Sequence, residues 1–273
     1  MANTIVYKED YAVTVQEKLS EMKFWNTLGD AVFTDKKVFN NPYKNDPTVA
    51  SYTRGAQFSY TDVTLTNETL DIATSAISAE YIDRADLAQN GYDLQMRLAA
   101  DQGDELQDTV ETAFIAAGVA AAGNSNTWAL GSYIDGIAIT RSLIVEDKGL
   151  RMLERKGGSI ILSPLAYALA VGEAQSAGVL TFAEDALVNG TVAKIGGFKL
   201  YESNLTGGNT QALAFINKSI TVGILNTTFG MTIVDEKNPD NRSAIGFTTR
   251  VDYGFKVFNN NVNMVVDVTA TVE

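Results

Sequence analysis

Residues 185–205 read DALVNGTVAKIGGFKLYESNL. Asn189-Gly190 marks a turn, a short apolar run follows, and Gly196-Gly197 marks a second turn. Two successive glycines tolerate the positive φ that a sharp reversal requires. Phe198-Lys199-Leu200-Tyr201-Glu202 then alternates, placing 198, 200 and 202 on one face and 199 and 201 on the other. The stretch is therefore read as a turn, a second turn and a strand.

The surrounding chain has 273 residues, enough for one large domain or two subdomains with a real core. Its 45% hydrophobic and 20% charged content is that of a folded protein. No run approaches the ~18 apolar residues of a membrane helix. The first nineteen residues carry acids and no apolar core, unlike a signal peptide. With no Cys, disulfides, thiolate metal sites and Cys nucleophiles drop out. With no His, the commonest general base and metal ligand are missing too. The double absence favours a structural or binding protein over an enzyme. A net charge of −12 opposes tight binding to nucleic acid or acidic membranes, although an acidic wall can still enclose DNA.

Outward from the opening stretch, the chain divides by pattern. Tyr11, Val15, Leu19 and Met22 have helical spacing, and Asn40-Asn41-Pro42 and Asp46-Pro47 break regular structure. Residues 1–48 are read as an extended arm with a short helix. Residues 49–82 are rich in Thr, Ser and β-branched residues and contain neither Lys nor Pro. They read as a long polar two-stranded β-arm, too poor in large apolar groups to stand alone. After a turn at 83–91, residues 92–122 form the strongest helix, with Leu94, Leu98, Leu106, Val110, Phe114 and Ala117 on one stripe. Gly103 is its weak point. Residues 123–133 read as a loop and 134–156 as a helix interrupted near Gly149. Ser159–Leu162 reads as a buried strand, and Ser163-Pro164 as the start of another helix with Ser as N-cap. Beyond 210 the chain reads as β. Ile245, Phe247, Thr249, Val251, Tyr253, Phe255 and Val257 alternate, with a kink at Gly254, and Val266, Val268, Ala270 and Val272 form a last strand.

The order Asn-Gly-x-Val, x-Ile-Gly-Gly-Phe and x-Leu-x-x-Ser-Asn within 185–205 resembles a segment of tailed-bacteriophage major capsid proteins. Tyr253-Gly254-Phe255-Lys256-Val257 resembles a strand near the end of many of them, and the element order matches across most of the chain. The resemblance implies an α+β Hong Kong 97-like capsid fold. Its parts would be an N-terminal arm (1–48), an extended β-arm loop (49–82), and a peripheral domain (83–205) with spine helix 92–122. Residues 206–273 would be mainly axial domain, with the final strand returning to the peripheral sheet. It further implies a non-enzymatic subunit forming pentamers and hexamers of an icosahedral head around phage double-stranded DNA. No cofactor and no membrane partner are expected. Some members crosslink through a Lys in the extended loop and an Asn on a neighbour. Residues 49–82 have no such Lys, so no isopeptide bond is expected. Because the arm begins at Met1, a separate scaffolding protein is expected, together with a portal.

Residues expected at subunit contacts are Arg54, Phe58, Tyr60, Asp62, Arg84, Asp86, Asp104 and Asp108. Asp101, Asp104, Glu105, Asp108 and Glu111 are read as a solvated or intersubunit helix face rather than metal ligands. Asp235–Asp240 lacks the spacing of a calcium loop and reads as an acidic turn. Gly190–Gly197 lacks the Lys-Ser/Thr of a phosphate loop. The six N-x-S/T sequons, beginning at Asn67, Asn189, Asn204, Asn217, Asn226 and Asn241, follow from composition. Lys8, Lys18, Lys23, Lys36 and Lys37 are interspersed with acids, so a DNA-facing role is the less favoured reading. The alternatives are an encapsulin nanocompartment shell, a carboxylate-dependent hydrolase and a β-rich adhesin.

Overall fold

Periodicity and burial agree most closely at the long helix, around which the rest is arranged. The computed structural model describes residues 3–21, 23–44, 51, 54–55, 57, 62–86, 92–177, 194–204, 206–235 and 244–272. Helix α3 (Tyr92–Ala120) buries Leu106, Val110, Phe114 and Ile115 at three-to-four spacing. Helix α1 (Asn3–Leu19) crosses it, with Tyr11, Val15 and Leu19 buried one turn apart. Gly103 marks that crossing. A Cβ there would lie 2.6 Å from Lys18 Cβ, so the glycine sets the helix separation rather than weakening the helix.

One sheet covers the α1/α3 layer. Its strands are β1 (Asp30–Thr34), β4 (Thr74–Asp83), β10 (Ile220–Leu225), β11 (Met231–Asp235) and β12 (Ala244–Val257). β12 pairs antiparallel with β4 on one side and with β10 and β11 on the other, and β1 runs parallel to β10. Phe247, Val251, Ala76 and Ile82 turn inward. Buried Gln102 of α3 ties three elements together. Its Oε1 accepts from Tyr11 Oη at 2.8 Å and from Thr249 Oγ1 at 3.2 Å, while its Nε2 donates to Phe247 O at 3.3 Å. Burial pushes the Tyr11 hydroxyl well above its ordinary pKa, which keeps it a donor.

The second sheet has six strands in the order β5 (Asn124–Trp128), β13 (Val265–Ala270), β9 (Gln211–Ile216), β6 (Gly158–Leu162), β8 (Phe198–Glu202) and β7 (Lys194–Ile195). Its central strands are buried on both faces. Ile160, Ala212, Ala214 and Val266 meet α4 (Tyr133–Ile144), α5 (Leu150–Lys156) and α6 (Pro164–Ser176), whereas Ile161, Leu213, Phe215 and Val265 join the core around α3. This is why β6 and β9 are continuous apolar runs while β12 alternates. A one-turn π-helix at Val145–Gly149 joins α4 to α5. Ser163 caps α6 by accepting from Ala166 N at 3.3 Å. The two carboxylate oxygens of Glu173 take Tyr133 N at 2.7 Å and Ile134 N at 3.3 Å, capping α4 from the facing helix. The Gly196-Gly197 turn has φ of 60° and 95° and closes a hairpin in which Ile195 faces Phe198. Asn189-Gly190 lies outside the described residues.

Five expectations are corrected. Residues 1–48 are not mainly an extended arm: α1, α2 (Phe24–Thr27) and β1 supply Tyr11, Val15, Leu19, Trp25 and Leu28 to the main core. The two-stranded ribbon is not 49–82 but β2 (Val38–Lys44) with β3 (Leu65–Asp71), while β4 belongs to the five-stranded sheet. Pro42 does not break β2, which pairs with β3 through that position, because proline is tolerated in an edge strand. Residues 124–128 form β5, pairing parallel with β13, and not a loop. The division at 205/206 does not separate the sheets either. Strands β9 and β13 follow it yet share the six-stranded sheet with β6 and β8, and β1 and β4 precede position 83 yet pair with β10 and β12.

Candidate assembly surface

Seven paired residues make the ribbon roughly 24 Å long. Within β3 only Leu70 is buried, and Val38, Val63 and Leu65 are exposed. A two-stranded ribbon of this kind is marginal alone, so its root holds it. Leu70 and Ile72 pack with Leu225 and Phe258, and Phe39 leans on them. Lys256 Nζ donates to Thr69 O at 2.6 Å, and Asn259 N donates to Glu68 Oε2 at 3.0 Å. Gly223 and Gly254 face each other across β10 and β12, directly beneath this crossing. A Cβ at 254 would lie 2.2 Å from Asp71 O, and one at 223 would lie 2.5 Å from Leu70 Cδ2. The kink read at Gly254 is thus a seat for a crossing chain.

The five-stranded sheet has a second face, away from the helices. The register places Ile77 and Met231 on either side of Arg250, Ala79 and Ile233 beside Thr248, and Tyr81 and Asp235 beside Gly246. Ile77, Tyr81, Met231 and Ile233 are all about half exposed or more. Arg250 lies flat on this face, its Nε and Nη2 donating to the two Asp252 oxygens at 2.8 and 2.9 Å. Burial works to raise the Asp252 pKa, but hydrogen bonds from Arg250, Ser75 and Thr228 and the Arg250 charge together hold it below the usual carboxylate range.

The residues expected at contacts fall in different places. Arg54 and Asp62 are exposed within the segment linking β2 to β3, and Arg84 and Asp86 are exposed just after β4. Phe58 and Tyr60 lie outside the described residues. Asp104 meets Lys18 at 3.6 Å and Asp108 meets Lys23 at 3.2 Å, so both face α1 and the segment following it. Glu111 departs from the solvated face expected of it. It is 3% exposed and accepts from Phe24 N at 3.2 Å.

Glu111, Asp108, Lys23 and Glu202 line an open cleft of about 700 Å³ between α2, α3, α6 and β8. Among the described residues no group of three potential metal ligands converges. Burial raises the Glu111 pKa, against the Phe24 N–H bond and the Lys23 charge, which lower it. A raised folded pKa makes the neutral acid the better folded form. Its stabilising contribution is complete below the unfolded pKa and is lost as pH rises through the folded one. Glu111→Gln is therefore expected to unfold at a higher midpoint than the parent at pH 7, with the two converging as pH falls into the carboxylate range. Urea titrations at several pH values check this, and a gap that does not close at low pH contradicts it.

No family model matches the sequence, and no curated protein matches it. Solved structures do. The capsid structure of cyanophage P-SCSP1u aligns at TM-score 0.66 and 14% identity over 92% of this chain and 89% of that one. The asymmetric unit of the mature capsid of bacteriophage PhiM1 aligns at 0.66 and 13%, over 92% and 87%. A virus-like particle from Pyrococcus furiosus aligns at 0.60 and 12%, over 96% and 99%. The chain thus shares its overall fold with these capsid and particle structures over nearly its whole length, and it has the α+β Hong Kong 97-like capsid fold.

Proposed function

We propose that the chain is the major capsid protein of a tailed bacteriophage, a structural subunit without catalytic activity. Copies assemble as pentamers and hexamers into an icosahedral head enclosing double-stranded DNA, built in the host cytoplasm with a separate scaffolding protein and a portal. The observation that carries this reading, beside the shared fold, is the ribbon. It is anchored at its root and leaves Val38, Val63 and Leu65 without cover from its own chain among the described residues. An element of this kind gains its burial from a neighbour, and many weak repeated contacts sum over a closed shell. Arg54, Phe58, Tyr60, Asp62, Arg84, Asp86, Asp104 and Asp108 are the proposed contact residues. A second reading, an encapsulin nanocompartment shell, is favoured by the likeness to the Pyrococcus furiosus particle over nearly all of both chains. The hydrolase reading lacks a support of this kind, since Asp108 and Glu111 in the cleft are engaged by Lys23 and the Phe24 N–H.

Replacing residues 40–69 by a short Gly-Ser linker keeps the root residues Phe39, Leu70 and Ile72. The shortened chain is expected to unfold cooperatively near the parent's midpoint but to form no closed shells. Light scattering and thermal denaturation check this. Shells that still close would remove the ribbon from assembly, and loss of the folded monomer would make it part of the core.

A further inference from the structure

Strand β4 has a free edge. It pairs with β12 over ten residues, Thr74 to Asp83, and among the described residues no strand pairs with its other side. Edge strands of this length are ordinarily blunted by Lys, Pro or a bulge. The sequence TSAISAEYID has no Lys, Arg or Pro, and its register with β12 runs unbroken through all ten positions. Its outward side chains include Ile77, 57% exposed, and Tyr81, 67% exposed. Such an edge is a template for another strand.

We infer that the occupant is β4 of a second copy, paired antiparallel across a two-fold axis at Ala79, so that the two five-stranded sheets become one. The choice follows from side-chain matching. Like faces must oppose, so the axis passes through a residue rather than between two. Centred on Ala79, Ile77 lies opposite the partner's Tyr81 and Tyr81 opposite its Ile77, giving two aromatic–β-branched pairs on the open face. On the inner face Glu80 lies opposite Ser78, and on the open face Asp83 lies opposite Ser75, so no like charges stand directly opposite each other. Shifting the axis to Glu80 sets two glutamates against each other. Shifting it to Ser78 leaves Ile77 against alanine and Tyr81 against serine. The pairing is isologous, as a two-fold contact requires, and it is small, as one of many contacts in a shell can be. It rests on the shell reading, and adds to it a contact separate from the ribbon.

The absence of native cysteine makes the test direct. In an antiparallel pair the two Cα atoms at position 79 would stand about 4.5 or about 5.5 Å apart, both within disulfide reach. Residue 77 would lie about 14 Å along the strand from the partner's residue 77. Purified full-length Ala79→Cys, mildly oxidised in whatever assembled state the parent adopts, is expected to run mostly as a covalent dimer on a denaturing gel. Ile77→Cys should stay monomeric, and Ile77→Cys with Tyr81→Cys should crosslink. Dimers from Ile77→Cys as readily as from Ala79→Cys would overturn the inference, as would monomeric Ala79→Cys in normal particles. Electron microscopy of the same samples keeps the two claims apart. Particles without the crosslink sink this pairing alone, and the crosslink without particles supports the pairing while counting against the shell.

Discussion

Gly254→Ala is expected to stop particle assembly while leaving a folded, destabilised chain. The added Cβ would lie 2.2 Å from Asp71 O and 3.2 Å from Ile72 Cα, both backbone atoms, so no side-chain rotation relieves it. Ile72 N donates to Lys37 O at 2.8 Å, tying the same backbone to the start of β2. The root must therefore lift from β12, and Leu70 and Ile72 lose their seat. Overpacking of this kind costs ~1–3 kcal/mol, and the larger effect is on the direction in which the ribbon leaves the body. Size-exclusion chromatography and denaturant titration check both parts. A variant with the parent's midpoint and normal particles would show that the root does not set the ribbon's course.

Phe114→Ala is expected to cost ~3–5 kcal/mol, the largest stability loss among these substitutions. Phe114 is fully buried on α3. Its ring meets Phe215 of β9 at 5.9 Å and Phe255 of β12 at 6.0 Å, both edge-on. One side chain thus touches both sheets through the helix between them. At about 2–4 °C per kcal/mol for a chain approaching this size, the melting transition should drop by many degrees while remaining single. Calorimetry that instead split into two transitions, one unshifted, would mean that the sheets unfold independently and that α3 does not couple them.

What the sequence makes legible is whatever depends on neighbours along the chain. The stripe of α3, the Ser163-Pro164 start of α6, the Gly196-Gly197 reversal and the alternation of β12 are all set within one element, and each is found where its pattern puts it. Elements defined by a distant partner are not legible. β1 is five residues whose only strand partner among the described residues lies some 190 positions later, and β5 is a polar Asn-Ser-Asn-Thr-Trp stretch made a strand by β13. Gly254 carried a visible signal, a glycine inside a strong strand, but the crossing chain that needs it comes from Asp71. Glu111 sits among acids that face solvent, and only the path of Phe24 across α3 buries it. The contact residues fare likewise. Spacing placed Asp104 and Asp108 on one face of α3, and the fold brings Lys18 and Lys23 to that face.

The most direct measurement is electron microscopy of the purified protein, paired with mass by light scattering, with and without crowding agents. The shell account predicts closed particles or rings of subunits, each subunit 29.4 kDa. A uniform monomer of that mass under both conditions would contradict it.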